Sequence, residues 1–166
     1  ARRGRLISKE FELDPQAEVW LFLDAYSYGQ ASLPYVVKAP EAEELWRRRM
    51  EMTLPPSTEE YEICVAASLA RFYLRQGRAV GFVSVGQSRS IIPPDRGGRQ
   101  LSKILESCAL LHAKGMLPLR ALVEIQVQHL MRGSTAILIT HSVEKEIALI
   151  ADFLTRRGLR PILVLI

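Results

Sequence analysis

The stretch Glu18-Val-Trp-Leu-Phe-Leu-Asp-Ala25 decides the fold class of this chain, because five apolar residues in succession end on one acidic side chain. An apolar run of this length is typical of a strand buried on both faces of a parallel sheet. A second run, Ala136-Ile-Leu-Ile-Thr140, ends in a similar way and is followed by His141 and Ser142. Open α/β sheets bind their ligands at the carboxyl ends of the strands, so we expect these two strand ends to carry the functional site.

Helix and strand patterns alternate along the rest of the chain. A capping box, Ser57-Thr58-Glu59-Glu60, predicts the start of a helix that ends before Gly77. Gly86-Gln-Ser-Arg89 has the composition of a hairpin turn, and Pro93-Pro94 restricts the strand after it to an edge position. The remaining pattern predicts strands over 5–13, 19–24, 79–85, 90–92, 136–140 and 161–166, and helices over 41–52, 100–113, 119–131 and 143–157.

This order of elements predicts a single α/β domain over residues 1–166. Its mainly parallel sheet would lie between two helical layers, as in Rossmann-like folds, with the strand over 5–13 as an antiparallel edge strand. The loops after the two apolar strands would then face the same side. A chain of 166 residues is long enough to bury one sizeable core.

The composition excludes several classes of protein. No apolar run approaches the roughly 18 to 20 residues that cross a bilayer. The formal charge is only +4 and the basic residues are spread over several elements, so we expect no nucleic-acid binding. Cys64 and Cys108 lie in apolar helical patterns, which predicts free thiols and a cytoplasmic location. The opening residues, Ala-Arg-Arg-Gly, indicate a piece of a longer protein, whose other segments would supply any membrane anchor.

Four blocks of sequence are similar, in order and spacing, to one bacterial family. They are Ala-Arg-Arg-Gly-Arg-Leu-Ile-Ser-Lys-Glu-Phe-Glu (1–12), Val-Trp-Leu-Phe-Leu-Asp-Ala (19–25), Glu62 with Ala-Ala-Ser-Leu-Ala (66–70), and Val-Gly-Phe (80–82). Over most of residues 1–112 the chain resembles the bacterial domain-of-unknown-function family 58. That family is similar to von Willebrand factor A domains, often occurs beside MoxR-type AAA+ ATPases, and commonly carries N-terminal membrane helices. The resemblance implies a von Willebrand factor A-like fold and an AAA+ ATPase as partner.

The metal-ion-dependent adhesion site of von Willebrand factor A domains is incomplete in this chain. That site uses Asp-x-Ser-x-Ser after the first core strand, a Thr in a later loop and an Asp after the fourth strand. Here Asp24 matches, but Tyr26 and Tyr28 occupy both Ser positions, and His141 replaces the second Asp. Because a hard cation such as Mg²⁺ requires several oxygen ligands, we predict no bound metal and no cofactor.

These observations predict a protein-interaction domain with a degenerate adhesion site, whose rim comprises residues 24–30, 93–99 and 140–143. The tyrosines give this rim an aromatic content typical of protein contact surfaces. The candidate partner-binding residues are Asp24, Tyr26, Ser27, Tyr28, Arg96, Thr140, His141 and Ser142. The alternative is a hydrolase in which Asp24, Ser27 and His141 form a catalytic triad, although the chain has no Gly-x-Ser-x-Gly motif.

Overall fold

The structure is a computed structural model that describes residues 17–35 and 54–166. Two predicted elements, the edge strand over 5–13 and the helix over 41–52, lie outside these residues. In the part of the chain that is described, five strands and four helices follow the order expected from the sequence. The strands are β1 (Val19–Leu23), β2 (Val80–Val85), β3 (Arg89–Asp95), β4 (Thr135–Thr140) and β5 (Arg160–Leu165), and the helices are α1 (Thr58–Arg75), α2 (Gly98–Ala109), α3 (Leu119–Gln126) and α4 (Lys145–Arg156).

The strands form one sheet in the order β3-β2-β1-β4-β5. β1 pairs in parallel with β2 on one side and with β4 on the other, and β4 pairs in parallel with β5. β3 pairs antiparallel with β2, as the predicted hairpin requires, and is an edge strand of the sheet formed by the described residues, a position that tolerates Pro93 and Pro94. The predicted α/β class and mainly parallel sheet are therefore confirmed.

Alternate residues of β1 point into two separate cores. Leu21 and Leu23 belong to the core that α1 and α2 cover, whereas Trp20 and Phe22 belong to the core that α3 and α4 cover. All five residues of β1 are buried, because both faces of this central strand are covered by helices. The predicted arrangement of helices on both faces of the sheet is thus confirmed.

Several element boundaries differ from the predicted ones. α2 ends at Ala109 rather than Ala113, and α3 ends at Gln126 and continues only as a short 3-10 helix over Val127–His129. The backbone N–H of Glu144 donates to the Ser142 hydroxyl, which holds residues 142–144 in a turn and delays the start of α4. β3 extends beyond residue 92 to Asp95, through both prolines.

The buried side chain of Gln100 explains how β3 continues past its prolines. Proline has no backbone N–H to donate to the neighbouring strand, and the pairing of β3 with β2 is irregular between Val80 and Phe82. The Gln100 amide donates instead to the carbonyls of Val80 (2.7 Å) and Pro93 (2.8 Å). One side chain thus donates to a carbonyl of each strand where their backbone pairing is interrupted.

The antiparallel direction of β3 corrects the prediction that residues 93–99 share a rim with Asp24. Asp95 pairs with Val80, which in turn pairs with Val19 at the start of β1. Arg96 therefore lies at the amino ends of the parallel strands, at the opposite end of the sheet from Asp24. No helix in the described part of the chain is both long enough and apolar enough to span a membrane.

Candidate functional site

The candidate site lies where the strand order of the sheet reverses. The chain passes from β1 to β2 on one side of the sheet, and later places β4 on the other side of β1. Loops that leave the carboxyl ends of β1 and β4 diverge at such a position, and open α/β sheets bind ligands in the crevice between them. We call the two loops here, residues 24–30 and 140–143, the switch-point rim.

Asp24 ties the two loops of the rim together. Its carboxylate accepts a hydrogen bond from the Thr140 hydroxyl (2.6 Å) and another from the backbone N–H of Tyr26 (3.2 Å). The Thr140 hydroxyl in turn accepts from the backbone N–H of Ser142 (3.1 Å). Asp24 and Thr140 are both buried, so this network is shielded from water. The carboxylate thereby organises the backbone of both loops.

His141 pairs with Glu62 of α1 rather than with Asp24. The ring nitrogen Nδ1 lies 3.0 Å from a carboxyl oxygen of Glu62, and Nε2 lies 3.0 Å from the carbonyl oxygen of Tyr28. Only 5% of the His141 side chain and 2% of the Glu62 side chain are exposed. A buried charge of this kind requires a partner, and each of these two groups supplies it for the other.

Three contacts surround the ring nitrogens of His141. A carbonyl oxygen can only accept, so Nε2 carries a hydrogen, whereas Nδ1 faces both Glu62 (3.0 Å) and the Gln30 amide nitrogen (3.2 Å). Burial raises the pKa of Glu62 from 4.5 to about 7, although His141 acts in the opposite direction. Burial lowers the pKa of His141, but the Tyr28 carbonyl and the Glu62 carboxylate outweigh burial, so that pKa is also raised. Both groups therefore hold a proton more strongly here than the free side chains do.

Gln30 and Thr58 connect this pair to the start of α1. The Gln30 amide nitrogen donates to Glu62 (3.3 Å), and its amide oxygen accepts from the Thr58 hydroxyl. The Thr58 hydroxyl also accepts from the backbone N–H of Ala31 (3.0 Å). Ser57 occupies the N-cap position as predicted, but its side chain makes no capping hydrogen bond, so the predicted capping box is wrong. The helix start is instead fastened to the rim through Thr58.

The loop between α2 and α3, residues 110–118, closes the side of the rim next to β2. The backbone N–H of Gly115 donates to the Ala25 carbonyl (2.9 Å), and the Ser27 N–H donates to the Gly115 carbonyl (2.9 Å). A Cβ atom on Gly115 would lie 2.0 Å from the carbonyl oxygen of Val85, so only glycine allows this approach.

A cleft of about 270 Å³ opens on the other side of the rim, toward α3 and α4. Its floor is apolar, with Leu119 from α3 and Ile147 and Ile150 from α4. Charged and polar groups surround this floor. They are Asp24, Tyr26, Tyr28, Arg120, His141, Ser142, Glu144 and Glu146.

Two exposed residues flank the cleft. Tyr28 is 81% exposed and Val143 is 83% exposed, and both line the cleft wall. The ring of Tyr28 is stacked on that of Tyr26, with ring centroids 6.2 Å apart, so the cleft has an aromatic wall on the side of β1. Exposed aromatic and aliphatic side chains beside a concave surface are typical of positions that anchor a protein partner.

The structure brings most of the predicted site residues together. Asp24, Tyr26, Tyr28, His141 and Ser142 line the cleft, and Thr140 is buried and bonded to Asp24. Ser27 belongs to the same loop but is exposed, and it does not line the cleft. Arg96 lies at the opposite end of the sheet, because β3 carries it there.

The arrangement does not support a catalytic triad of Asp24, Ser27 and His141. A triad requires one ring nitrogen of the histidine to bond the serine hydroxyl and the other to bond the acid. Here Glu62 and the Tyr28 carbonyl occupy the two ring nitrogens of His141, and Asp24 is bonded to Thr140. Across residues 17–35 and 54–166, no group of three His, Cys, Asp or Glu side chains is placed to hold a metal ion.

The candidate binding residues identified from the sequence do not include Glu62, Gln30 or Val143, although Gln30 and Val143 fall within the predicted rim. A signal for Glu62 is present, because it continues the buried stripe of Ala66, Ala70 and Leu74 at helical spacing. A carboxylate on such a stripe requires a buried partner, which His141 supplies. No comparable signal marks Val143, whose exposure depends on where α4 begins.

The chain matches no protein-family model and no curated protein. The family resemblance described from its sequence therefore stays a prediction.

Proposed function

We propose that this chain is a protein-interaction domain that binds its partner through the switch-point rim and the cleft beside it. The observation that carries this proposal is the combination of an apolar cleft with the exposed side chains of Tyr28 and Val143. A few side chains that become buried at a concave apolar surface with aromatic residues contribute most of the binding energy between two proteins.

The hydrogen bonding of the polar residues supports binding rather than catalysis. Asp24 and His141 are the groups best suited to acid or base chemistry, and both are engaged with other groups of the same chain. Their contacts hold the two loops of the rim in place. A rigid rim reduces the entropy that is lost when a partner binds.

The resemblance to family 58 supports a von Willebrand factor A-like domain with a degenerate metal site. In that fold the site is assembled after the first and fourth strands, and here Asp24 follows β1 and His141 follows β4. By the same resemblance the partner is a MoxR-type AAA+ ATPase. The domain would act in the cytoplasm, with membrane association through other segments of the full protein.

The test is titration calorimetry of the purified domain with the MoxR-type ATPase from the same organism. Because both residues anchor the interface, we expect Tyr28→Ala and Val143→Glu each to weaken binding by about tenfold or more. Met131→Glu is the matched control, since Met131 is also exposed but precedes β4 at the opposite end of the sheet. Equal binding by all four proteins would show that the rim is the wrong surface.

A further inference from the structure

The cleft is negatively charged although the chain as a whole is positive. Its lining contains three carboxylates, Asp24, Glu144 and Glu146, and one guanidinium, Arg120, while the His141 ring in the lining is paired with the Glu62 carboxylate. Arg120 is itself held by carboxylates, at 2.9 Å from Glu124 and 3.8 Å from Glu146. The formal charge of the whole chain is +4. The negative cleft is therefore a local feature, and it favours a cationic occupant.

The size of the cleft and its apolar floor suit a single long side chain. At about 270 Å³ the cleft is smaller than the roughly 300–1,000 Å³ of pockets that enclose drug-sized ligands. Leu119, Ile147 and Ile150 would exclude a small hydrated cation from the floor. A long basic side chain satisfies both conditions, because its methylene stem packs on apolar surface while its charged end reaches polar groups.

The aromatic wall favours arginine over lysine. The planar guanidinium stacks on aromatic rings and pairs with two carboxylate oxygens at once, whereas an ammonium is a compact and strongly hydrated charge. Tyr28 offers an exposed ring, and the exposed side chains of Glu144 and Glu146 offer carboxylates on the opposite loop and helix.

We propose that the cleft beside the switch-point rim binds an arginine side chain presented by the partner protein. The arginine stem lies on Leu119 and Ile147, its guanidinium pairs with Glu144 and Glu146, and its planar group stacks on Tyr28. An apolar partner residue next to the arginine contacts Val143. This inference rests on the proposed function, because it names what the interaction surface recognises.

The test uses a blocked peptide with the sequence Gly-Leu-Arg-Leu-Gly and the same peptide with citrulline, a neutral isostere, in place of arginine. Binding at millimolar concentration is followed through the methyl NMR signals of Leu119, Ile147 and Val143. We expect the arginine peptide to shift these signals and citrulline to weaken binding about tenfold, in line with the contribution of a desolvated charge pair. Glu144→Gln combined with Glu146→Gln should weaken the arginine peptide to the same degree.

Glu106→Gln provides the control for the loss of a negative charge, because Glu106 is exposed on α2, across the sheet from the cleft. Equal binding of the arginine and citrulline peptides, or no shift of the methyl signals at the cleft, would overturn the proposal.

The proposed arginine site and the proposed ATPase partner fail in different ways. If the ATPase binds through Tyr28 and Val143 while the arginine peptide does not bind, the surface is right and the occupant is wrong. If the peptide binds and the ATPase does not, the partner is wrong.

Discussion

At the scale of single residues, the pair of His141 and Glu62 makes the stability of the domain depend on pH. Both groups have a raised pKa in the folded protein, which therefore holds protons more tightly than the unfolded chain does. The stabilisation from such groups is present below the unfolded pKa and is lost as the pH rises through the folded pKa. For Glu62 this interval runs from 4.5 to about 7.

We predict that the free energy of unfolding falls by a few kcal/mol between about pH 5 and pH 8. Glu62→Gln should flatten this dependence, because glutamine does not titrate, whereas Glu106→Gln should leave it unchanged. Urea denaturation at a series of pH values measures both effects. If the wild-type chain and Glu62→Gln lose stability in parallel, the pair does not determine the pH dependence.

The sequence reveals only part of this pair. His141 and Asp24 could be placed on one rim, because the carboxyl ends of parallel strands meet at the same edge of a sheet. Their bonding partners could not be assigned in this way. Glu62 belongs to a helix whose rotation about its axis depends on packing, and the sequence pattern of α1 does not specify which loop residue its carboxylate meets.

At the scale of elements, the loop between α2 and α3 determines the shape of the rim. Two glycines permit its close approach to the strands. A Cβ on Gly86 would lie 2.3 Å from the His112 carbonyl oxygen, and one on Gly115 would lie 2.0 Å from that of Val85. The contacted atoms belong to the backbone, so they cannot move aside as a flexible side chain would.

We predict that Gly115→Ala destabilises the domain by about 2–4 kcal/mol, because the loop must move away from the ends of β1 and β2. Gly98→Ala is the matched control. Gly98 begins α2, its φ is not positive and a Cβ there meets no atom within 4 Å, so we expect no loss of stability. Thermal unfolding distinguishes the two variants. Similar melting temperatures would mean that the loop does not need its close contact.

The strands and the hairpin were predictable from the sequence, whereas the position of Arg96 and the ends of several helices were predicted wrongly. Long apolar runs identified β1 and β4, and the turn-like composition of residues 86–89 identified the hairpin between β2 and β3. The same hairpin returns the chain to the amino ends of the parallel strands, so the position of Arg96 followed from an element that the sequence had already indicated. Helix ends were less predictable, since hydrogen bonds such as that from Glu144 to Ser142 determine where α4 begins.

At the scale of the whole molecule, the two outer strands of the described sheet differ in character. β3 carries Arg89 and Asp95 and two prolines, which discourage pairing with another chain. β5 begins with Arg160 and Pro161, but its other four residues are apolar, and Ile162, Leu163 and Leu165 are each about half exposed. An apolar outer strand favours association between copies of a chain.

We predict that this chain associates with itself as its concentration rises, and that Leu163→Lys reduces the association. Leu110→Lys is the control, because Leu110 is also exposed but lies in the loop after α2. Sedimentation velocity over a range of concentrations measures the effect. A wild-type chain that stays monomeric at every concentration would show that the outer strand is not adhesive.

The close approach of the loop over residues 110–118 also makes access to the strand ends one-sided. The loop fills the space beside β2, while the cleft opens between α3 and α4. A molecule that occupies the cleft must therefore approach along the layer formed by these two helices. The opposite layer, formed by α1 and α2, faces away from that approach. Occupation of the cleft therefore leaves the outer face of the α1 and α2 layer uncovered by the occupant.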